Sequence, residues 1–343
     1  MITFRLPDGT QHRFGEGDET TLVELSAEAW EDFREERRTA FGLLYAGMVR
    51  IERGRFEDLA EAEIELRREW TGRPIYDASA ADAVAGLDLH RTFTLDDSDD
   101  DMRAFFHTAG FLHVRGVFDE AEIERMRDEV ERLKALATPD DGRSWWARNR
   151  DGKQVCCRLI YLAQQSKELA EVPYDARLAR LAALTGEELR PADDRIDGLG
   201  VVIKNPDVVE GLSDLPWHQD CGLGGHPVLC PGVNIGVQLD EASEANGQLR
   251  ILAGSHHHSI HPAGPGREED LPVVRVDTQP GDVTMHFGHV SHAAPPPTDP
   301  TAGRRAMYVT FVSPRLFDVI PEGKGYNDVI LQTPGQPAPG AIS

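Results

Sequence analysis

Two segments of the sequence carry side chains that bind transition metals. His218 and Asp220 are separated by one residue, so in an extended segment their side chains project to the same side and can hold one ion together. The segment Gly281–His292 supplies three further histidines, of which His292 is the last. Two imidazoles and one carboxylate on one side of a metal leave open positions for a co-substrate and oxygen, as in non-haem iron(II) oxygenases. A His-x-Asp pair alone occurs often by chance, so the ordered set carries more weight than either segment.

Basic residues near these segments have the chemistry needed to bind an organic acid. Arg304 follows the last histidine at the edge of a predicted strand, where its guanidinium could hold a dicarboxylic acid in a bidentate fork. Lys204 ends a strand before His218 and is a second candidate for binding the co-substrate, with a solvated lysine as the ordinary alternative. Arg158 is a candidate substrate contact or a structural ion pair. Trp217 is a candidate substrate contact or a wall of the fold.

Residues 196–315 contain the elements that must position these side chains. Short β-rich runs are separated by turns rich in Gly, Pro, Asn and Asp, at intervals typical of an antiparallel sandwich or jelly roll. The runs are Gly200–Lys204, Val233–Leu239, Leu249–Leu252, Val273–Val276, Val283–Phe287 and Met307–Val312. Upstream, Phe111–Arg115 alternates as a strand, and helices are predicted at Glu120–Leu136 and Arg177–Thr185. We therefore predict a mainly β fold with flanking helices, of the α+β class.

The sequence pattern of the first ninety residues differs from that of the β-rich segment 196–315, and these residues carry no motif for catalysis or metal binding. A short hairpin is predicted over Ile2–Phe14 because Asp8-Gly9 is a turn signal. Two amphipathic helical stretches follow, roughly Ser26–Arg53 and Phe56–Trp70. This part of the chain is expected to serve in packing or dimerisation, with a lid or substrate-selecting element as the alternative.

Composition excludes several classes of function. The 40% hydrophobic and 28% charged content is that of a globular protein, and the apolar runs are too short to span a membrane. The net charge of −23 leaves no basic stripe for nucleic acid. Four cysteines without a C-x-x-C pair, and an N-terminus unlike a secretory signal, favour a reducing cytoplasm.

Taken together, these motifs resemble the phytanoyl-CoA dioxygenase-like family of Fe(II)/2-oxoglutarate-dependent oxygenases over roughly residues 100–315. The matching motifs are Ala109–Phe118, Trp217–Asp220, Asn246–His256, Gly281–His292 and Arg304–Ala306. Two departures stand out: Ala253 replaces the usual proline, and the run Ala294–Pro297 replaces a common Gly-Ser-Gly, which stiffens the loop behind the metal.

The resemblance implies a double-stranded β-helix (jelly roll, cupin-like) core that uses iron(II), 2-oxoglutarate and O2. It also implies that His292, rather than His286 or His289, completes the catalytic metal set with His218 and Asp220, and that Arg304 anchors 2-oxoglutarate. Asp282 is expected to fix a turn rather than to bind metal. The implied reaction is hydroxylation of an unactivated C–H bond, with succinate and CO2 as co-products.

The domain assignment and the alternatives follow from the same reasoning. We predict an N-terminal extension at 1–90, a dioxygenase domain at 91–330 and a flexible tail at 331–343. Desaturation, cyclisation or epoxidation would need the same cofactors, whereas a zinc hydrolase or an inactive jelly-roll binding protein would use the fold differently. A small-molecule metabolite is favoured over an acyl-CoA as substrate, because no basic cluster for the CoA phosphates is evident. The oligomeric state stays open.

Overall fold

Two antiparallel sheets form the body of the molecule. The computed structural model describes residues 1–193, 195–206, 208, 215–220, 232–260, 268 and 271–320. The larger sheet has the strand order β5-β14-β11-β16-β9-β7-β6, with β8 paired to β16, and the smaller has the order β10-β15-β12-β13. The strands are β5 Phe111–Val114, β6 Ser144–Arg148, β7 Gln154–Leu159, β8 Arg190–Pro191, β9 Leu199–Lys204, β10 Leu215–His218, β11 Val233–Gln238, β12 Leu249–Leu252, β13 Val273–Val276, β14 Val283–Phe287, β15 His292–Ala294 and β16 Arg304–Val312. The predicted jelly-roll core is confirmed.

The larger sheet has one apolar and one polar face, because side chains alternate along each strand. On β11, Ile235 and Val237 belong to the main hydrophobic core, whereas Asn234 and Gln238 point the other way. Asn234 is paired across the sheet with His286 on one side and Thr310 on the other. The polar face looks towards the smaller sheet and therefore lines the interior of the barrel.

Helices cover the apolar face of the larger sheet. These are α4 Asp99–Ala109, α5 Glu120–Leu136, α6 Leu162–Gln165 and α7 Ala176–Ala182, and a last short helix, α8, spans Leu316–Val319. The predicted helix Glu120–Leu136 is confirmed; it begins with a capping box formed by Asp119 and Glu122. The second predicted helix is also confirmed, and it ends as a 3₁₀ turn before Gly186, whose φ is 78°.

Residues 1–73, which we call the N-terminal unit, have a sheet and a hydrophobic cluster of their own. The elements are β1 Ile2–Arg5, β2 Gln11–Phe14, β3 Thr21–Leu25, α1 Ala27–Arg34, α2 Ala40–Tyr45, β4 Val49–Arg53 and α3 Phe56–Thr71, with strand order β2-β1-β3-β4. The cluster includes Phe4, Phe33 and Leu59. The predicted hairpin is present, but the prediction of a single helical stretch over Ser26–Arg53 is wrong. The backbone leaves the helical conformation at Glu36 and again at Gly47, where φ is positive, and then forms β4.

The N-terminal unit continues directly into a contact with the barrel. Just after it, Ile75 pairs with Ser259 in an isolated bridge. The backbone amide of Ser259 donates to the Pro74 carbonyl at 2.8 Å, and the Tyr76 amide donates to the Ser259 carbonyl at 2.9 Å. The boundary at residue 90 stays a prediction, and the predicted tail 331–343 lies outside the described residues. No described helix combines the length and the apolar character that crossing a membrane requires.

Candidate metal centre

The three side chains predicted to bind metal converge at the open edge of the smaller sheet. His218 ends β10 and is the register partner of His292, the first residue of β15. Asp220 follows β10, and its backbone amide donates to the Gly288 carbonyl at 2.9 Å. The ligand atoms of His218, Asp220 and His292 all lie within 4.8 Å of one another. Among the described residues, no other group of three or more His, Cys, Asp or Glu side chains meets that spacing.

Both imidazoles are held so that the same ring nitrogen faces the centre. Nδ1 of His218 lies 2.8 Å from the Pro216 carbonyl, and Nδ1 of His292 lies 3.0 Å from the Val290 carbonyl. Because a carbonyl only accepts, each Nδ1 carries the proton and donates it, which leaves Nε2 with a free lone pair. The two Nε2 atoms each lie 3.6 Å from an oxygen of Asp220. This tautomer is the one that a metal ligand needs.

A hydrogen-bonded relay that sequence reasoning missed fixes the carboxylate. Asn234 donates its amide N–H to Oδ2 of Asp220 at 2.7 Å, and the Thr310 hydroxyl donates to Oδ1 of Asn234 at 2.5 Å. Both residues lie on the polar face of the larger sheet. The alternation of polar and apolar residues along Val233–Gln238 is the signal that could have found Asn234.

The electrostatics of the site favour a neutral imidazole at His218 beside an ionised carboxylate at Asp220. Burial, together with the neighbouring His292, lowers the pKa of His218 to about 4. Burial alone would raise the pKa of Asp220, but the three nearby imidazoles and the Asn234 hydrogen bond hold it below its ordinary value. The site therefore needs no proton release from His218 before a cation can bind at neutral pH.

His286 is a third imidazole that sequence reasoning did not place at the centre. Its ring centroid lies 4.2 Å from that of His292, and its Nε2 lies 3.9 Å from Oδ2 of Asp220. Burial lowers its pKa to about 3. His289, another histidine of the segment Gly281–His292, points elsewhere, with its Nε2 3.8 Å from a carboxylate oxygen of Glu36.

Two buried cations stand side by side inside the barrel. Arg304 and Lys204 are register partners on β16 and β9, and both side chains are almost fully buried. Nε and Nη2 of Arg304 donate to the Gly247 carbonyl at 3.1 and 2.8 Å. Gly247 has φ 70°, and a Cβ atom at this position would clash with the Pro295 carbonyl oxygen, so no larger residue fits there. Nζ of Lys204 donates to the Ala294 and Pro295 carbonyls at 2.6 and 2.7 Å.

These cations suit an organic anion. Burial lowers the pKa of Arg304, although Tyr308 and Asp240 counteract this effect. Within the described ranges no carboxylate forms an ion pair with Arg304. Arg305, on the opposite face, instead forms ion pairs with Asp240 at 2.7 Å and Glu131 at 2.9 Å.

The two predicted substrate contacts have structural partners. Arg158 forms an ion pair with Asp197 and lies 5.2 Å from the Trp145 ring centroid. Trp217 packs on the small cluster around Tyr76 and donates its indole N–H to Glu268 at 3.0 Å. Both therefore fit the alternatives considered for them, an ion pair and a wall of the fold, and their roles in substrate binding stay predictions.

A pocket opens onto the metal centre, and the N-terminal unit supplies much of its wall. The barrel contributes the candidate metal ligand His218 together with Gln219 and His289. The residues lining it are Glu36, Thr39, Phe41, Glu63, Arg67, Arg73, His218, Gln219, His258, Ser259, Ile260 and His289. The alternative that this part of the chain selects the substrate therefore gains a structural basis.

Comparisons with known proteins agree with this fold and identify a family. The family model described as Phytanoyl-CoA dioxygenase (PhyH) matches residues 106–306, more than half of the chain. An L-proline trans-4-hydroxylase from Streptomyces griseoviridis is 38% identical over 175 residues, which cover 49% of this chain but only 60% of that relative.

Solved structures share the fold at lower identity. EctD from S. alaskensis, solved with 2-oxoglutarate and 5-hydroxyectoine, is 20% identical with a TM-score of 0.52, over 70% of this chain and 82% of that one. The carbocyclase SnoK from nogalamycin biosynthesis is 20% identical with a TM-score of 0.51, over 65% and 87% of the two chains.

A jelly-roll barrel with a His-Asp-His cluster and buried cations defines a non-haem iron oxygenase that uses 2-oxoglutarate. The chain belongs to the phytanoyl-CoA dioxygenase family. The predicted cofactors, iron(II) and 2-oxoglutarate, are confirmed at the level of that family.

Proposed function

We propose that this enzyme hydroxylates an unactivated C–H bond of a small metabolite, with a free amino acid as the leading candidate. The convergence of His218, Asp220 and His292 carries the proposal. The relative that hydroxylates L-proline supports a substrate of this size, although the match spans less than two thirds of that protein. Cytoplasmic location and a small-molecule partner belong to the same proposal.

In this proposal the side chains bind and orient the cofactors. Bound iron(II) and 2-oxoglutarate supply the oxidation: R–H, 2-oxoglutarate and O2 give R–OH, succinate and CO2. His218 and His292 present Nε2, and Asp220 presents the carboxylate that Asn234 holds in place. Arg304 anchors the distal carboxylate of 2-oxoglutarate, and Lys204 adds positive charge beside it.

Succinate formation tests the proposal. We expect formation that depends on iron(II), O2 and 2-oxoglutarate, and a loss of at least about 100-fold in Asp220→Ala, because removing a carboxylate ligand leaves only two imidazoles. Asp8→Ala is the matched control, since Asp8 accepts a hydrogen bond only within an exposed turn among the described residues. Equal succinate formation in Asp220→Ala and Asp8→Ala contradicts the assignment. Product mass distinguishes hydroxylation, which adds one oxygen, from desaturation or cyclisation, which remove two hydrogens.

A further inference from the structure

The N-terminal unit places an ion pair at the mouth of the metal centre. Arg73 donates through Nη2 to Oε2 of Glu36, and the same oxygen lies 3.8 Å from Nε2 of His289. Glu36 and Arg73 line the pocket that also contains His218. Because the family match begins at residue 106, these two residues lie outside the part of the chain that the family shares.

Glu36 is held in a backbone conformation that side-chain-bearing residues rarely adopt. Its φ is 57°, in the left-handed region, where a residue other than glycine is uncommon and costs about 1 kcal/mol. Strain of this kind is typical of residues that the surrounding structure forces into a functional position. Here α1 has just ended, and the chain turns back so that Arg37 and Arg38 donate their amides to the Asp32 carbonyl at 2.9 and 3.2 Å.

A second ion pair, between Arg67 and Glu63, fixes this turn. Its hydrogen-bonding groups are largely taken up by the protein, so little hydrogen-bonding capacity is left for a ligand. Arg67 binds Glu63 at 2.9 Å and donates to the Phe33 and Arg38 carbonyls at 2.9 and 2.8 Å. Glu63 in turn accepts from the Ala40 amide at the start of α2 at 2.9 Å. Both side chains are less than a tenth exposed. Arg67 and Glu63 therefore hold the loop that carries Glu36.

Glu36 and Arg73, in contrast, keep hydrogen-bonding capacity. Within the described part of the chain, the guanidinium of Arg73 donates to Glu36 alone, although it carries five N–H groups, and its side chain is 29% exposed. Oε1 of Glu36 lies 3.9 Å from Nη1 of Arg67, beyond hydrogen-bonding distance. One acceptor and several donors are thus available to a ligand.

We propose that Glu36 and Arg73 are a charge clamp that selects a small zwitterion, an α-amino acid or a close analogue, as the substrate. The substrate ammonium binds Glu36, and the substrate carboxylate binds Arg73. The four charges, two from the substrate and two from the protein, then alternate in sign. Because the two side chains touch, the groups they bind must also be close together, as they are when both are attached to one carbon. The two ion pairs in the wall sum to zero charge, which suits a net-neutral ligand. This inference rests on the proposed oxygenase function.

The test compares free amino acids with derivatives that lack one charge. Succinate formation by wild-type enzyme is measured without substrate, and then with a panel of the free protein amino acids, their N-acetyl derivatives and their C-terminal amides. We expect a free amino acid to stimulate turnover, and both of its derivatives to have a KM about 10- to 100-fold higher, because each loses one charged hydrogen bond.

Two variants assign each half of the clamp. Glu36→Gln should weaken the preference for the free amine over the N-acetyl form, and Arg73→Gln should weaken the preference for the free acid over the amide. A merely structural pair would lower stability and leave both preferences unchanged. Arg73→Lys, which keeps the charge, should retain most of the preference for the acid. Arg50→Gln and Glu52→Gln are matched controls, since these residues form an ion pair on β4 that does not line the pocket.

The outcomes separate this inference from the oxygenase function. If wild-type enzyme forms succinate without substrate but no free amino acid stimulates it, the clamp is overturned and the oxygenase stands. Unchanged preferences in both Gln variants also overturn the clamp. If wild-type enzyme forms no succinate with iron(II), O2 and 2-oxoglutarate, the oxygenase assignment fails, and the clamp fails with it.

Discussion

Asn234 shows how a single side chain can set the geometry of the metal centre. Its amide holds Asp220 while Thr310 holds the amide, so the carboxylate has one defined orientation. We expect Asn234→Ala to lower iron(II) affinity by about 10- to 100-fold, the usual effect of removing a group that orients a metal ligand. Anaerobic calorimetric titration with iron(II) measures this.

Gln238→Ala is the control for Asn234. Gln238 lies on the same strand and the same face, but it donates to the Gly236 carbonyl and Thr284 rather than to Asp220. Its replacement should leave iron affinity within about twofold of wild type. Equal losses in the two variants would mean that general loosening of β11, and not orientation of Asp220, controls metal binding.

Arg304 and Arg305 allow a test of co-substrate binding with adjacent residues on opposite faces of β16. Arg304→Gln should raise the KM for 2-oxoglutarate by about 10- to 100-fold, because a charged hydrogen bond to a buried carboxylate is lost. Arg305→Gln breaks ion pairs with Asp240 and Glu131, so it should lower the melting temperature and leave that KM unchanged. A KM that rises equally in both variants argues against the anchor.

At this scale the sequence predicted the convergence of His218, Asp220 and His292. The spacing of His218 and Asp220 is a local property, and the family resemblance implied His292. That these three bind iron stays a prediction. The sequence could not have predicted Glu36 and Arg73, because their contact depends on how the N-terminal unit folds, and their place at the pocket depends on how that unit packs on the barrel. It also missed His286, which the order of histidines in Gly281–His292 alone cannot distinguish from its neighbours.

At the scale of elements, Asp282 connects the start of β14 to β5. Its carboxylate accepts from His113 at 2.9 Å and from the amides of Gly116 and Gln279 at 3.0 and 2.9 Å, as expected for a turn residue. Burial raises the pKa of Asp282, but these hydrogen bonds outweigh it and hold the pKa below the ordinary value. We expect Asp282→Asn to cost about 2–4 kcal/mol of unfolding free energy at neutral pH.

The pH dependence of that cost has a definite sign. A carboxyl group whose pKa is depressed in the folded state stabilises it at pH values above the unfolded pKa, and this stabilisation is lost as the pH falls through the folded pKa. The difference between wild type and Asp282→Asn should therefore be constant near neutral pH and shrink only below the ordinary value of 3.8. Urea denaturation of both proteins from about pH 7 to about pH 3.5 tests this, and a difference that grows in acid would exclude the mechanism.

Elements with strong periodicity were predictable, and those decided by tertiary contacts were not. The strands of the barrel matched because apolar runs between turn residues are decided locally. The stretch Ser26–Arg53 failed because Val49–Arg53 pairs with β3, and strand pairing outweighed a helical pattern of apolar residues. The left-handed conformation of Glu36, which ends the first helical part, has no signal in the sequence.

For the whole molecule, the two hydrophobic cores support different parts of the candidate active site. The main cluster combines residues of both barrel sheets with residues of the helices, whereas the cluster of residues 2–70 belongs to the N-terminal unit alone. The candidate metal ligands belong to the barrel, but the pocket next to them has walls from both parts. Cofactor binding should therefore depend on the first core, and substrate selection on both.

Phe33→Ala tests this division. Phe33 is fully buried in the N-terminal cluster, packs edge-on against Trp70 at 5.5 Å between ring centroids, and lies under the guanidinium of Arg67 at 5.1 Å. Its truncation should destabilise the N-terminal unit by about 3–5 kcal/mol. Hydrogen exchange should then accelerate in residues 2–70 and not in the strands of the barrel, because local stability follows local packing. Substrate stimulation of succinate formation should fall while substrate-free formation persists.

Phe106→Ala, which removes a buried ring stacked on Phe287 at 4.2 Å in the barrel core, should instead lower both activities. If Phe33→Ala accelerates exchange evenly across the whole molecule, the two cores unfold as one unit, and the N-terminal unit cannot be treated as a separable wall of the pocket.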